Sequence, residues 1–231
     1  MKSDLISVVI PAYNAEEYLQ ESLDSLYDQI SPVDFEIIVV NDGSTDRTLQ
    51  ILEAQGDKIR VFSHANSGVC KTRNLGFKAA KGNYITCLDA DDLYEPDKLD
   101  KQYRYLKDHP NLDMVFCKVE QFISPELDPS DRKIPEHVRV MNSMNFAGGL
   151  FKSEVFEKNG YIDESLRSYG EFIDWFARAK EIGLKYAVMD EILYKRRVHD
   201  SNYGKVNASE QMDYLKVLRA KIQRSKGKPS E

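Results

Sequence analysis

Cysteine is scarce in this 231-residue chain: Cys70, Cys87 and Cys117 form an odd set with no C-x-x-C spacing. That excludes a disulfide framework and a zinc signature, and it fits a reducing compartment. Long apolar runs are also absent. No stretch approaches the roughly 18 residues of a spanning helix, and the run Leu5–Ile10 stops at Pro11 with no small-residue cleavage site after it. A cytoplasmic protein is the expectation. Positive charge is not in excess either, since 32 Lys and Arg against 38 Asp and Glu leave a net charge of −6. Phosphate backbones are bound through clustered cations, so nucleic acid is excluded as the main partner, while small anionic ligands remain open to a local basic patch. There is no internal repeat and no low-complexity tract. What is present, 42% hydrophobic and 30% charged residues, is ordinary globular usage with enough chain for one large core.

The first half alternates short β-branched apolar runs with amphipathic stretches, the pattern of a parallel sheet covered by helices. Strands are predicted over Leu5–Ile10, Phe35–Val40, Lys58–Phe62 and Tyr84–Leu88. Between them, Glu16–Gln29, Asp46–Ala54 and Lys71–Ala80 carry apolar residues at helical spacing. Each strand-to-helix junction is polar: Tyr13-Asn14, Asn41-Asp42-Gly43-Ser44, Asn66-Ser67-Gly68 and Asp89-Ala90-Asp91-Asp92. An open α/β sheet gathers such junctions at the carboxyl edge of its strands, where ligands bind. In the second half, Ser124–Pro135 breaks the periodicity and reads as a surface loop or a mobile flap. After it come a strand at Asn145–Phe151, helices at Ser153–Asn159 and Glu171–Ile182, and strands at Lys185–Val188 and Ile192–Val198. A terminal helix follows at Ala208–Arg224.

The junctions carry the chemistry. Asp89, Asp91 and Asp92 follow an apolar strand, where three carboxylates repel one another at low dielectric. A hard divalent cation, Mg²⁺ or Mn²⁺, relieves that repulsion by taking oxygen ligands from one or two of them and leaving its other positions to water and phosphates. A capped turn is the structural alternative, because Asp is also favoured at the helix start near Pro96. In Asn41–Asp46, Asp46 suits an N-cap and Gly43 a positive φ, which leaves Asp42 to accept a hydrogen bond from a ligand such as the imide N–H of uracil. Lys71 and Arg73 stand in a first helical turn, where cations oppose the helix dipole. An anionic ligand accounts for them; solvated surface charge is the alternative. Glu171 and Asp174 lie three apart on one helix face, and each qualifies either as a general base or as a dipole-favoured acid. Arg196-Arg197-Val198-His199 offers phosphate or metal contacts, although a lone His is as readily structural.

Together these stations resemble the family 2 glycosyltransferases of the GT-A fold, from Ser7 to about Asn202. Ser7-Val8-Val9-Ile10-Pro11-Ala12-Tyr13-Asn14, Asn41-Asp42-Gly43-Ser44-Thr45-Asp46, Arg73-Asn74-Leu75-Gly76, and Gly82-Asn83-Tyr84 leading into Leu88–Asp92 occur in the family's order and spacing. Asn159-Gly160-Tyr161-Ile162-Asp163-Glu164 and Arg196–Asn202 look like later family features. The resemblance implies an α/β, GT-A fold: a Rossmann-like, mostly parallel central sheet flanked by helices, with a smaller acceptor-side lobe. It implies one domain over 1–206, with a nucleotide-sugar-binding half at 1–95 and an acceptor-binding half at 96–206, then a C-terminal helix and basic tail at 207–231. Pro11, Ala12, Tyr13 and Asn14 match the segment packed on the nucleotide base, and Asp42 the carboxylate that reads it. Asn66, Lys71, Arg73 and Arg197 match the surroundings of the nucleotide. Asp89, with Ala90, belongs to the ribose side of the D-x-D pair; Asp91, with Asp89, matches the metal ligands; and His199 matches a further metal or phosphate contact. One departure stands out: the family's Glu-Asp pair at the base station is Glu171-Phe172 here. Either Glu171 is the base, or Asp174 one turn later takes the role, or the base is missing.

The implied reaction is inverting transfer of a sugar from a nucleoside-diphosphate sugar to an acceptor hydroxyl, dependent on Mn²⁺ or Mg²⁺. A UDP-sugar is favoured because Asp42 with Arg73 suits an imide base. The alternative is a non-catalytic nucleotide-sugar-binding relative. A nucleotidyltransferase is disfavoured because Pro11-Ala12-Tyr13-Asn14 stands where its glycine-rich loop would be. A dehalogenase-type phosphatase would carry its D-x-D after the first strand, not the fourth. The implied acceptor is a saccharide, a lipid-linked molecule or a protein, met by Ser124–Val140 and Asn145–Gly149. The basic tail, with Lys221, Arg224, Lys226 and Lys228, reads as a solvated end, with peripheral contact to the inner face of the membrane as its alternative. Donor sugar and oligomeric state are not written in the sequence.

Overall fold

The apolar runs of the first half become four adjacent parallel strands. The structure, a computed structural model, describes residues 4–127, 133–166, 170–200 and 217. Its first half runs β1 (Leu5–Ala12), α1 (Leu19–Tyr27), β2 (Asp34–Asn41), α2 (Thr48–Glu53), β3 (Arg60–Ser63), α3 (Val69–Ala79) and β4 (Tyr84–Cys87). The second half runs β5 (Leu93–Tyr94), α4 (Lys98–Asp108), β6 (Met114–Ile123), α5 (Glu136–Arg139), β7 (Val140–Asn142), β8 (Gly149–Lys152), α6 (Glu154–Asn159), α7 (Glu171–Glu181) and β9 (Tyr186–Val198). The strand order is β3-β2-β1-β4-β8-β6-β9-β5, with β7 paired to β6. The chain winds outward from β1 to β3, then crosses back through α3 to β4 on the other side of β1. That reversal opens a crevice at the carboxyl ends of β1 and β4.

Beyond β4 the same sheet continues under the second half. β8 runs antiparallel to β4 and β6, β9 runs parallel to β6, and β5 adds an antiparallel edge to β9. β1 is buried on both faces. Ile6, Val8 and Ile10 pack with Leu19, Leu23 and Leu26, while Val9 faces Cys70, Phe77 and Cys87 on the other side. Gly76 permits the close approach of α3, since a Cβ there would come within 2.2 Å of Val9 Cγ1.

Several predicted boundaries shift for physical reasons. The strand expected at Asn145–Phe151 starts only at Gly149, because Asn145 Oδ1 accepts the Gly148 N–H at 2.7 Å and turns the chain first. The two strands expected at Lys185–Val188 and Ile192–Val198 are one, β9. Its register against β6 slips on both sides of Lys118, and this bulge leaves Asp190 in solvent to pair with the Lys118 ammonium at 3.0 Å. β6 itself is not among the predicted strands; its pairing with β8 and β9 makes it one. Of the predicted helix at Ala208–Arg224 only Val217 is described, helical and buried. Residues 128–132 of the Ser124–Pro135 loop, Ser201, Asn202 and the basic tail lie outside the described residues. Among the described residues no helix is long and apolar enough to cross a membrane.

Candidate active site

The loops after β1 and β2 are locked to one another. Asn14 adopts φ 47°, a conformation Asn tolerates better than most residues. Its N–H donates to Ser44 Oγ at 3.0 Å, and its side-chain oxygen accepts the Thr45 N–H at 2.8 Å. Ala15 N–H donates to Thr48 Oγ1 and Glu16 N–H to Asp46 Oδ2, so Asp46 serves the loop as well as the start of α2. Tyr13, half exposed at 51%, is left standing at the edge of the crevice.

Asp42 is buried, and its two oxygens accept the N–H groups of Ser67 at 2.7 Å and Gly68 at 2.9 Å, with His64 Nδ1 3.5 Å away. It therefore fastens the entry of α3 to the end of β2. Gly43, at φ +70°, makes this closure feasible, because a Cβ would lie 2.7 Å from the Asn66 nitrogen. Asn66 and Lys71 are exposed on that same edge.

Arg73 points the other way and is almost buried. One end of its guanidinium donates to Asp89 Oδ1 at 2.6 Å and the other to Glu171 Oε1 at 2.9 Å. Burial raises the pKa of Glu171, and the Arg73 charge opposes that rise. Three residues on, Asp174 goes elsewhere: its carboxylate takes the Arg178 Nε–H at 2.9 Å, and Arg178 also reaches the carbonyls of Asn159 and Tyr161. The expected common face of Glu171 and Asp174 is thus split between two partners. Phe172 is buried against the rings of Phe116, Phe146, Trp175 and Phe176.

The three carboxylates after β4 occupy three different environments. Asp92 is buried, accepting the Arg197 N–H at 2.8 Å and the Tyr194 hydroxyl. Burial, with Asp91 and Asp89 beside it, raises its pKa well above the usual value, and both its oxygens are taken by these protein donors. Asp89 and Asp91 keep 34% and 33% of their side chains exposed, and His199 Nε2 lies 3.0 Å from Asp91 Oδ2. Among the described residues no three His, Cys, Asp or Glu converge as a metal-holding group, so Asp89, Asp91 and His199 do not form a ligand set by themselves. Asp91 and His199 still offer the oxygen and imidazole donors that suit a divalent cation taking its other ligands from phosphate and water.

The comparison with known proteins meets this geometry at the same residues. The pattern described as Glycosyl transferase family 2 matches residues 7–164, which takes in the loops after β1, β2 and β4. The chain belongs to that family. A curated relative of Rickettsia typhi (strain ATCC VR-144 / Wilmington), named an uncharacterized glycosyltransferase, is 36% identical over 212 residues, covering 86% of this chain and 65% of its own. S. aureus TarS 1-349, solved in complex with UDP, is 26% identical with a TM-score of 0.70, covering 93% of this chain and 63% of that one. The mannosyltransferase PcManGT from Pyrobaculum calidifontis, solved with GDP-Man and Mn²⁺, shares the fold at a TM-score of 0.69 and 18% identity, over 96% of this chain and 65% of that one. The chain thus spans just under two thirds of the length of each of these proteins.

As a family 2 glycosyltransferase with the GT-A fold, the chain gathers most of the sequence-predicted residues on one edge of its sheet. Pro11 and Ala12 end β1, Tyr13, Asn14 and Asp42 follow β1 and β2, and Asp89, Ala90 and Asp91 follow β4. The Ala90 carbonyl accepts from Ser22 Oγ at 2.9 Å, which holds the turn against α1. Arg197 is buried with its donors committed inside the protein. Other residues act through contacts that only the fold makes. The Asn74 amide clamps Ile162 through both N–H and C=O, at 3.0 and 2.9 Å, and so docks the Asn159–Glu164 motif on α3. Tyr18 and Tyr194 act across the fold, and no local pattern marks them.

Proposed function

We propose that this glycosyltransferase moves a sugar from a nucleoside-diphosphate sugar, a UDP-sugar by preference, to an acceptor hydroxyl with inversion, using Mn²⁺ or Mg²⁺ and Glu171 as the general base. The observation that carries the reading is the Arg73 bridge, which seats Glu171 opposite Asp89 on the donor-side turn. Glu171 takes the acceptor proton as the hydroxyl oxygen bonds to the anomeric carbon, while the bond from that carbon to the diphosphate breaks on the opposite face. A buried carboxylate of raised pKa suits this task, and a positioned base contributes about 10²–10⁴-fold. Asp174, engaged by Arg178, is the weaker candidate. When bound at Asp91, the divalent cation supplies charge neutralisation of the leaving diphosphate. The UDP complex of TarS supports the donor class, and Mn²⁺ in PcManGT supports the cofactor.

A binding-only protein is the second reading, favoured by Phe172 where the family carries a carboxylate. The test separates binding from turnover: thermal shift with UDP, GDP and dTDP, with and without Mn²⁺, beside donor consumption by wild type, Asp91→Asn and Glu171→Gln. A Mn²⁺-dependent UDP shift, lost in Asp91→Asn and kept in Glu171→Gln while turnover falls at least 100-fold, is the expected result. Full turnover by Glu171→Gln refutes the mechanism. A wild type that binds but never consumes a donor establishes the second reading.

A further inference from the structure

The turn Asp89–Asp92 carries little to fix it from within, beyond the Asp92 N–H to Asp89 carbonyl bond at 3.1 Å. The end of β9 holds it from outside. The Arg197 backbone N–H donates to Asp92 Oδ1 at 2.8 Å, and the Arg197 side-chain Nε–H donates to the Asp91 carbonyl at 2.9 Å. The guanidinium lies between the rings of Tyr18 and Phe122, 4.8 Å from each centroid. Its two outer nitrogens reach Glu21 on α1 and Ser124 Oγ at 3.3 Å. Ser124 in turn donates to Glu126 at 2.6 Å, and Glu126 accepts the Tyr18 hydroxyl. One buried side chain, 2% exposed, therefore joins α1, the carboxylate turn and the segment after β6. A solvated ion pair needs none of this; a planar fork that must hold a carbonyl in place does.

We infer that Arg197 is a positioning residue: it fixes the Asp91 carbonyl, and through it the Asp91 carboxylate, relative to α1 and the Ser124–Glu126 segment. The metal-dependent part of nucleotide binding then depends on a side chain spent on protein groups. This part rests on the reading of Asp91 as the metal-holding carboxylate.

The test uses the full chain with Arg197→Lys, which keeps the charge and loses the fork, and Ser124→Ala, which removes one outer contact. Hydrogen exchange without ligand is expected to speed up at least tenfold in peptides covering 88–94 for Arg197→Lys, and about threefold for Ser124→Ala. Peptides from β1 to β3 stay unchanged. Free Mn²⁺ followed by electron paramagnetic resonance in the presence of UDP is expected to show at least tenfold weaker Mn²⁺ binding in Arg197→Lys, with metal-free UDP affinity within twofold of wild type. Unchanged exchange at 88–94 in folded Arg197→Lys overturns the inference. So does an equal loss of metal-free UDP binding, which would make Arg197 a direct nucleotide contact. If Arg197→Lys does not fold, unchanged exchange in Ser124→Ala overturns it instead. A wild type that binds no Mn²⁺ with UDP removes the metal assignment, and the exchange at 88–94 alone then decides the positioning role.

Discussion

Lys98 lies fully buried on α4, against the strand that delivers the carboxylate turn. Its ammonium donates to Gln102 Oε1 at 2.6 Å, sits 3.4 Å from Thr86 Oγ1 and lies 4.1 Å from the centre of the Tyr94 ring. Burial lowers its pKa from the ordinary 10.5 to about 8. Below pH 8 both states hold the proton, and the folded state bears the whole cost of a desolvated charge. Above pH 8 the folded state releases the proton while the unfolded chain keeps it, so this group adds stability as pH rises towards 10.5. The cost is about 3 kcal/mol at pH 8 and falls to about 1.4 kcal/mol by pH 9.5. Buried thiols work against it: Cys87 is pushed up to about 12 and Cys117 upward as well, so the unfolded chain loses those protons first.

Substituting Lys98→Met isolates the lysine. It removes the charge at similar volume and strands the Gln102 oxygen, a cost of about 1–3 kcal/mol that does not vary with pH. The difference between mutant and wild type therefore has an uncertain height and a certain slope. Urea unfolding at intervals from pH 7.5 to 9.5 should show the mutant losing about 1.8 kcal/mol relative to wild type over that range. Parallel stability curves would refute the argument and mean that Lys98 keeps its proton in the folded state.

Two further outcomes follow from the packing. Asp174→Asn is expected to cost about 1–3 kcal/mol in urea unfolding by weakening the Arg178 clamp, with donor turnover per folded molecule within threefold of wild type; a 100-fold loss in folded protein would make Asp174 the base. Gly76→Ala puts a Cβ 2.2 Å from Val9 Cγ1 and should cost about 1–3 kcal/mol, part of which Val9→Ala restores in the double mutant; additive losses would show that this contact is not the cause.

The junction residues were legible because their reasons are local. Gly43 takes the positive φ that its turn suggested, while Asp46 sits one residue before the N-cap of α2, Arg47, and accepts the Thr48 N–H. The first four strands and three helices followed from periodicity, which needs no partner to be read. β6 and the unbroken β9 did not follow, since each is held by pairing with strands far along the chain and their bulge allows charges inside the run.

The sequence by itself determined a parallel α/β sheet with its acidic and polar junctions on one edge, because strand and helix periods and turn chemistry are properties of neighbouring residues. It also presented two acids three residues apart as equal candidates for the base. Only the tertiary structure gives them different partners, by bringing Arg73 to Glu171 across 98 residues and Arg178 to Asp174 within one turn. The same holds for Asp92, a surface-type residue made structural by Tyr194 and Arg197 more than 100 residues later. A carboxylate's role is set by burial and by the charges around it, and both come from contacts that chain order does not encode locally.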